Sequence, residues 1–502
     1  MKCGTIALFA AAATTLAACH GGRPAPSPTA IALPFASPAA TPSPAPPWSA
    51  AERADVARRL SSLFTDDVFQ SGSGLAVVAE DGSVLYQHRA RVPVTPASTL
   101  KIVVAATALD LLGPAHRFET QFASIARPDA SGILQGPLYV VGGGDPWLTA
   151  NDVRGGIGML KRSGVERIDG GLIVDDGAFS GPDQNARWDA DDLSEDYAAA
   201  TSAISLDQGT VEFDVEPGAV GEDARIRVEP PNASVTIVGH VVTSSSYSDL
   251  TIDRESRRGP LRASVSNTFD FDGHIAAGET QKYYKPVLGF ALYAGSAIAG
   301  LLEERGIAAA GDVSLGTVPL TATPIWQHRS RPLAELVHEM LVDSNNHTAE
   351  QLLRTVGERA GRGGSDAAGV SVERHVLDQL HVTTAGMRVY DGSGLSPSDR
   401  IPALTLAQLL VAEYRAPVGH VYLSSLPRVG LEGTVRHHDL HDALGRVRAK
   451  SGHIHDVNAL AGLIATAHHG RVAFAFEVND PRSLADVVTI SEDRAMDVLA
   501  EF

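Results

Sequence analysis

Residues 95–113 read TPASTLKIVVAATALDLLG. Apart from Lys101 and Asp110 the stretch after Leu100 is apolar or small and free of proline, so it predicts a helix packed into a core. Thr95 is a good N-cap and Pro96 suits the first helical position, which puts Ser98 in the first turn. Unpaired N–H groups and the helix dipole favour negative charge there, including a developing oxyanion. Lys101, three residues on, shares a face with Ser98. A serine hydroxyl is a weak nucleophile at neutral pH and needs a base, and a lysine can serve if burial or a second cation lowers its pKa. The chain has six lysines, at positions 2, 101, 161, 282, 285 and 450, and only Lys101 has a serine three residues before it.

A serine and a lysine three apart are common on helices, so the rest of the chain decides what the pair means. Ser344-Asn345-Asn346 falls between two segments of helical pattern, and Lys450-Ser451-Gly452 opens on a predicted strand. Together with Ser98-Thr99-Leu100-Lys101 they give S-x-x-K, a variant of S-D-N and a variant of K-T-G, in the order used by penicillin-recognising serine enzymes.

Around these motifs the texture changes twice. Residues 49–117 and 319–502 mix helical and strand patterns, whereas 118–318 is a domain-sized stretch of short strands and turns. This predicts an α/β (α+β) fold with one discontinuous domain and an insertion, with a smaller β-rich unit at 207–265. Ser49 is a candidate N-cap for the helix of "SAAERADVARRLSSLF", and Asp81-Gly82 between two apolar runs signals a hairpin. A length of 502 residues suits several domains of roughly 100–200 residues each.

The chain opens MKCGTIALFAAAATTLAACHGG, one lysine followed by an apolar run and small residues, which reads as an export signal at 1–18. Leu16-Ala17-Ala18-Cys19 resembles a bacterial lipoprotein signal, which implies cleavage before Cys19 and acylation of its thiol. Cys3 would leave with the signal, so no internal disulfide is expected in the mature protein. Residues 19–48, rich in Pro, Ala and Ser, predict an extended tether. The 41 basic and 59 acidic residues, net −18, argue against nucleic acid as a partner.

The chain resembles the low-molecular-mass class C penicillin-binding proteins, the D-alanyl-D-alanine carboxypeptidases/endopeptidases. Beyond the three motifs the resemblance rests on GGGDPWLT (142–149), PLAELVHEMLVDSNNHTAEQLLRTVG (332–357), YDGSGLS (390–396), SLPRVGLEGTVRHH (425–438) and KSGHIHDVNALAG (450–462). It implies a transpeptidase/β-lactamase-like domain with the insertion between the first and second motifs. It further implies a serine DD-peptidase that cleaves peptidoglycan stem peptides, is acylated by β-lactams and needs no cofactor. Carried over by motif, Ser98 would be the acylated nucleophile and Lys101 its base. Ser344 would relay a proton to the leaving D-alanine nitrogen, and Asn346 would hold the substrate amide and support Lys101. Lys450 would supply positive potential and help keep Lys101 neutral, and Ser451 would offer a hydroxyl to the terminal carboxylate. The oxyanion hole would be the N–H groups of Ser98 and of His453, the residue after Gly452. Asp192, in RWDADDLSEDY (187–197), would match an acid reaching for the free amine of the stem peptide, although three acids lie within four residues there.

This chain has Ser451 where the family usually has threonine, His453 where it has serine, and Asp456 near a usual glycine. These departures bear on substrate preference more than on the reaction. His437, His438, His441, His453 and His455 cluster in sequence, but without H-E-x-x-H or a remaining cysteine they predict no metal site. GGGDP lacks the ending of a phosphate-binding loop, and Asp391-Gly392-Ser393-Gly394 reads as a tight turn shaping the cleft floor. Two alternatives stay open. One is a β-lactamase or S-x-x-K esterase, disfavoured because none of Glu350, Glu358, Glu373, Glu413 or Glu432 has an asparagine four residues later. The other is a non-catalytic lipoprotein that binds the cell envelope. His20 after Cys19 is not the aspartate associated with inner-membrane retention, so a periplasmic protein anchored by lipid to the outer membrane is expected.

Overall fold

A computed structural model describes residues 46–65, 72–255, 267–479 and 485–502. The signal segment 1–18, Cys19, most of the 19–48 tether and the end of the 207–265 stretch lie outside the described residues. Trp48, the last residue of the expected tether, is buried and stacks on His469 with ring centroids 4.3 Å apart. In chain order the α-helices are α1 (Ala50–Leu63), α2 (Lys101–Leu112), α3 (Ala150–Arg162), α4 (Phe290–Glu304), α5 (Leu333–Val342), α6 (Asn346–Arg359), α7 (Asp366–Gln379), α8 (Ala403–Arg415), α9 (Gly419–Ser425) and α10 (Ala485–Glu501).

One antiparallel sheet joins the two ends of the chain. Its strand order is Val84–His88, Gly74–Ala79, Arg471–Asn479, Val457–Ala465, Val447–Ile454. The first two strands form the hairpin expected at Asp81-Gly82, where Gly82 takes φ 86°. Strand Gly74–Ala79, GLAVVA, is apolar at every position and buried at every position, because both faces of the sheet are covered. Leu75 and Val77 pack into one core with Val56 and Leu60 of α1 and Met496 and Leu499 of α10. Ala76 and Val78 point the other way, into a core with α2, α5, α6 and α8. Ser49 caps α1 in a box with Glu52. Helix α2 is buried at every residue from Lys101 to Leu109, since it runs through the middle of the helical layer.

The chain leaves this layer after α2 and returns beside its own exit. Strand Glu119–Ser124 pairs antiparallel with Thr323–Arg329, Glu119 opposite Arg329. Both belong to a second five-stranded sheet, which shares a core with α3 and α4. The expected return at residue 319 therefore differs from the structure: Thr323–Arg329 is bonded into the sheet of the inserted region, and packing on the helical layer resumes at Leu333. A further core forms around Phe213, Phe269 and Phe271. It reaches beyond residue 265, because strand Gln281–Pro286 pairs with Thr210–Glu216.

Candidate active site

The three motifs meet where α2, the α5–α6 connection and the edge strand Val447–Ile454 converge. The turn that carries Ser98 differs from the sequence expectation. Thr95 does not cap the helix, because its hydroxyl accepts from the Arg400 guanidinium at 2.7 Å and its N–H donates to Asn479 Oδ1 at 2.7 Å. Ala97–Leu100 form a 3₁₀ turn, and α2 proper starts at Lys101. Ala97, just before the nucleophile position, takes φ 47°, and Ser344 takes φ 59°. Two non-glycine residues in this unfavourable region flank the reacting groups, a strain that surrounding structure must hold in place.

Lys101 is fully buried, and its amine has three partners: Ser98 Oγ at 2.8 Å, Asn346 Oδ1 at 2.7 Å and the Ser393 carbonyl at 2.8 Å. The last two can only accept. A neutral amine has two N–H groups and one lone pair, so donating to both carbonyls aims its lone pair at the Ser98 hydroxyl. Burial brings the Lys101 pKa down to about 7, against the opposing pull of Asp391 and Glu350. The amine is thus set to take a proton from Ser98 near neutral pH.

Asn346 is held in turn. It opens α6, which Asn345 caps by accepting from Thr348 N at 2.7 Å, and its Nδ2 donates to the Tyr197 carbonyl at 3.0 Å. Ser344 stands in the connection before it, and its hydroxyl makes no hydrogen bond among the described residues. Ser344 and Asn346 also line a cavity of about 700 Å³ that continues between Trp147, Tyr197 and the inserted region.

The opposite wall is the edge strand. Gly452 lies flush on the nucleophile turn: a Cβ there would come within 2.8 Å of the Ser98 nitrogen, so no larger residue fits without moving one wall. The Ala449 N–H turns away from the sheet, to the Pro427 carbonyl at 3.0 Å. With the two-residue period of a strand, the N–H groups of Ser451 and His453 face the same open edge. Lys450 is fully buried, and its amine donates to the Ser451 carbonyl at 2.6 Å. The Ser451 hydroxyl lies 2.8 Å from Thr434 Oγ1. Burial pulls Lys450 well below its ordinary pKa, and Lys101 pulls it further. Burial is the largest influence on both amines, and the repulsion between them acts in the same direction.

Asp192 sits at the cleft rim, its Oδ1 accepting from the Tyr197 hydroxyl at 2.8 Å. It is therefore linked to Asn346 through Tyr197 and not by direct contact. Asp456, in place of a glycine, takes φ 58° at the turn after the edge strand. Aspartate is one of the few residues that tolerate that conformation. Of the histidines, His438 is buried on Asp493 (Nδ1–Oδ1 2.6 Å) beside His437, while His441, His453 and His455 are exposed. Three partners escaped the sequence reading: the Ser393 carbonyl, the Tyr197 carbonyl and Thr434. Two are backbone atoms, which carry no residue-type signal. Ser393 and Thr434 lie within the matching strings 390–396 and 425–438, and Tyr197 ends the acidic stretch 187–197.

The model of the D-Ala-D-Ala carboxypeptidase 3 (S13) family matches residues 56–501. The chain is similar to a D-alanyl-D-alanine carboxypeptidase of Actinomadura sp. (strain R39), 31% identical over 465 residues that cover 88% of this chain and 85% of that one. It is also similar to the D-alanyl-D-alanine carboxypeptidase DacB of Haemophilus influenzae, 27% identical over 81% of this chain and 86% of that one. In fold it resembles the crystal structure of penicillin binding protein 4 from Haemophilus influenzae, with a TM-score of 0.74 and 24% identity over 88% of this chain and 99% of that one.

Proposed function

The chain belongs to the D-Ala-D-Ala carboxypeptidase 3 (S13) family, and we propose that it cleaves peptidoglycan stem peptides through an acyl-enzyme on Ser98. The observation that carries this reading is the Lys101 amine, saturated by two carbonyls and Ser98 at 2.7–2.8 Å. Ser98 Oγ attacks the carbonyl carbon of the penultimate D-alanine while its proton passes to Lys101 Nζ. The tetrahedral oxyanion forms against the N–H groups of Ser98 and His453. The C–N bond then breaks, and the terminal D-alanine leaves with a proton delivered by way of Ser344. Water hydrolyses the ester and frees Ser98.

The terminal carboxylate meets Lys450 and Ser451. An arriving anion favours the charged amine and so works against the burial that lowers the Lys450 pKa. Asn346 orients the substrate amide. Asp192 at the rim takes the free amine of the stem peptide, an assignment supported by its place beside Tyr197. A β-lactam offers the same carbonyl and carboxylate, and acylates Ser98 in the same way. We also propose that the mature chain is periplasmic and lipid-anchored through Cys19 to the outer membrane, a reading supported by the lipoprotein-like Leu16-Ala17-Ala18-Cys19 and by His20 after it.

Intact-mass measurement after penicillin treatment tests the acyl-enzyme. One adduct per chain is expected on the wild type and none on Ser98→Ala, with D-alanine released from muropeptides by the wild type alone. An adduct that survives Ser98→Ala would overturn the assignment. An acyl mass at Cys19, lost in Cys19→Ala, tests the anchor.

A further inference from the structure

The reaction leaves a pair of buried carboxyl groups without a task. Glu350 lies one helical turn beyond Asn346 on α6, and Asp391 opens the DGSG turn. Neither faces the cleft; both are buried. Both take hold of the same short loop. Glu350 accepts from Gly392 N at 3.0 and 3.1 Å and from Ser393 N at 2.8 Å. Asp391 Oδ1 accepts from Gly394 N at 2.8 Å, while its Oδ2 accepts from Ser396 N and Trp188 Nε1, each at 2.8 Å.

The Gly394 N–H and the Ser393 carbonyl belong to one peptide group. Its N–H is held by Asp391 and its oxygen accepts from Lys101 at 2.8 Å. Glu350 fixes the two preceding N–H groups, so the plane of that peptide has little freedom. The loop is also wedged sterically. A Cβ at Gly394, where φ is 77°, would fall 1.9 Å from the Ala97 carbonyl, and one at Gly392 would fall 2.8 Å from the Ala349 carbonyl. The loop thus touches the nucleophile turn on one side and the Asn346 helix on the other.

We propose that Glu350 and Asp391 are positioning residues for Lys101: through the 391–394 loop they hold the Ser393 carbonyl as a fixed acceptor, and so aim the amine's lone pair at Ser98. This rests on reading Lys101 as the base. The groups that face Glu350 are Asp391 on the loop, Asp366 and Glu373 on α7, and Asp399 after the loop. Arg354 on α6 is paired with Asp366 at 2.7 Å, and Lys450 faces Lys101 from the strand. Burial and mutual repulsion raise Glu350 to about 8 and Glu373 and Asp399 well above their ordinary range. The role of Glu350 and Asp391 is geometric: they supply acceptors for the loop, while burial of Lys101 outweighs their pull toward its charged form.

The test is the rate constant and binding constant of acylation by a fluorescent penicillin, with adduct stoichiometry, on the full chain. Glu350→Met removes both acceptors at similar volume, and acylation should slow about 10- to 100-fold at unchanged penicillin binding and one adduct per chain. Glu350→Gln keeps one acceptor oxygen and should recover most of the rate. Glu373→Met is equally buried but loses no hydrogen bond, because neither Glu373 oxygen has a partner among the described residues. It should acylate within about threefold of wild type, as burial alone does not set the loop. If Glu350→Met gives less than one competent site per chain, Asp391→Leu, which removes the acceptors that hold the same peptide, takes its place with the same expectation. Wild-type acylation in the loop variants, or equal slowing in Glu373→Met, overturns the proposal. Unchanged acylation in Lys101→Ala would instead overturn the reading of the base.

Discussion

The two lysines of the cleft are buried alike and provided for differently. Lys101, on the helical wall, has three partners within 2.8 Å before any substrate arrives. Lys450, on the strand wall, finds among the described residues only the carbonyl of its own neighbour Ser451. The amine proposed as the base is thus organised in advance, whereas the amine proposed to meet the terminal carboxylate is held by one carbonyl. A base must have its lone pair aimed before reaction, since reorientation during the reaction would add to the barrier. A binding cation gains more if its missing partner is the substrate itself, because a desolvated charge is costly until it is paired.

If that contrast holds, disturbing the organised wall costs most. Lys101→Met should lower the acylation rate constant by about 10² to 10⁴, the range of a lost general base. It should also lower thermal stability, because it leaves the buried Ser393 oxygen unpaired, at about 1–3 kcal/mol. Penicillin-binding kinetics and a melting curve measure both. The pH dependence comes next. Only the neutral amine accepts a proton, so acylation should rise as pH passes upward through about 7, where Lys101 deprotonates, and level off above it. Between pH 5 and 8 the rise should be roughly 100-fold. A flat profile would remove Lys101 from the role of base.

Lys450→Met should cost less in rate and run the other way in stability. Loss of one charge-assisted contact to the carboxylate predicts a fall in kcat/KM of about 10- to 100-fold for D-Ala-D-Ala peptides, from about 1.5–3 kcal/mol. Replacing a desolvated amine with a thioether of similar length should leave the melting temperature unchanged or raise it. A drop in stability matching that of Lys101→Met would show that the two walls are built alike.

Much of this architecture was legible in the chain. The apolar run after Ser98 marked a buried helix, the two-faced GLAVVA strand belongs to a covered sheet, and Ser49 with Glu52 forms the capping box that starts α1. Three motifs in order named the residues that the structure gathers around Lys101 and Gly452. The misreadings came where distant residues outbid local ones. Thr95 has the right chemistry for an N-cap, but Arg400 and Asn479 claim it, and the turn shifts to a 3₁₀ start. Strand Thr323–Arg329 looked like the return of the catalytic domain, yet its partner is Glu119–Ser124.

Residue types and spacing were enough to point to the family and to nominate the side chains of the site, since nucleophile, base and amide can be recognised by kind. How far the Lys101 pKa falls, and where its amine is aimed, depends on burial and on carbonyl oxygens such as that of Ser393. Every residue has a backbone oxygen, so no sequence pattern marks the one that matters. The loop that presents it is set by Glu350 and Asp391, 41 positions apart in the chain, and only long-range packing brings their carboxyl groups onto the same peptides.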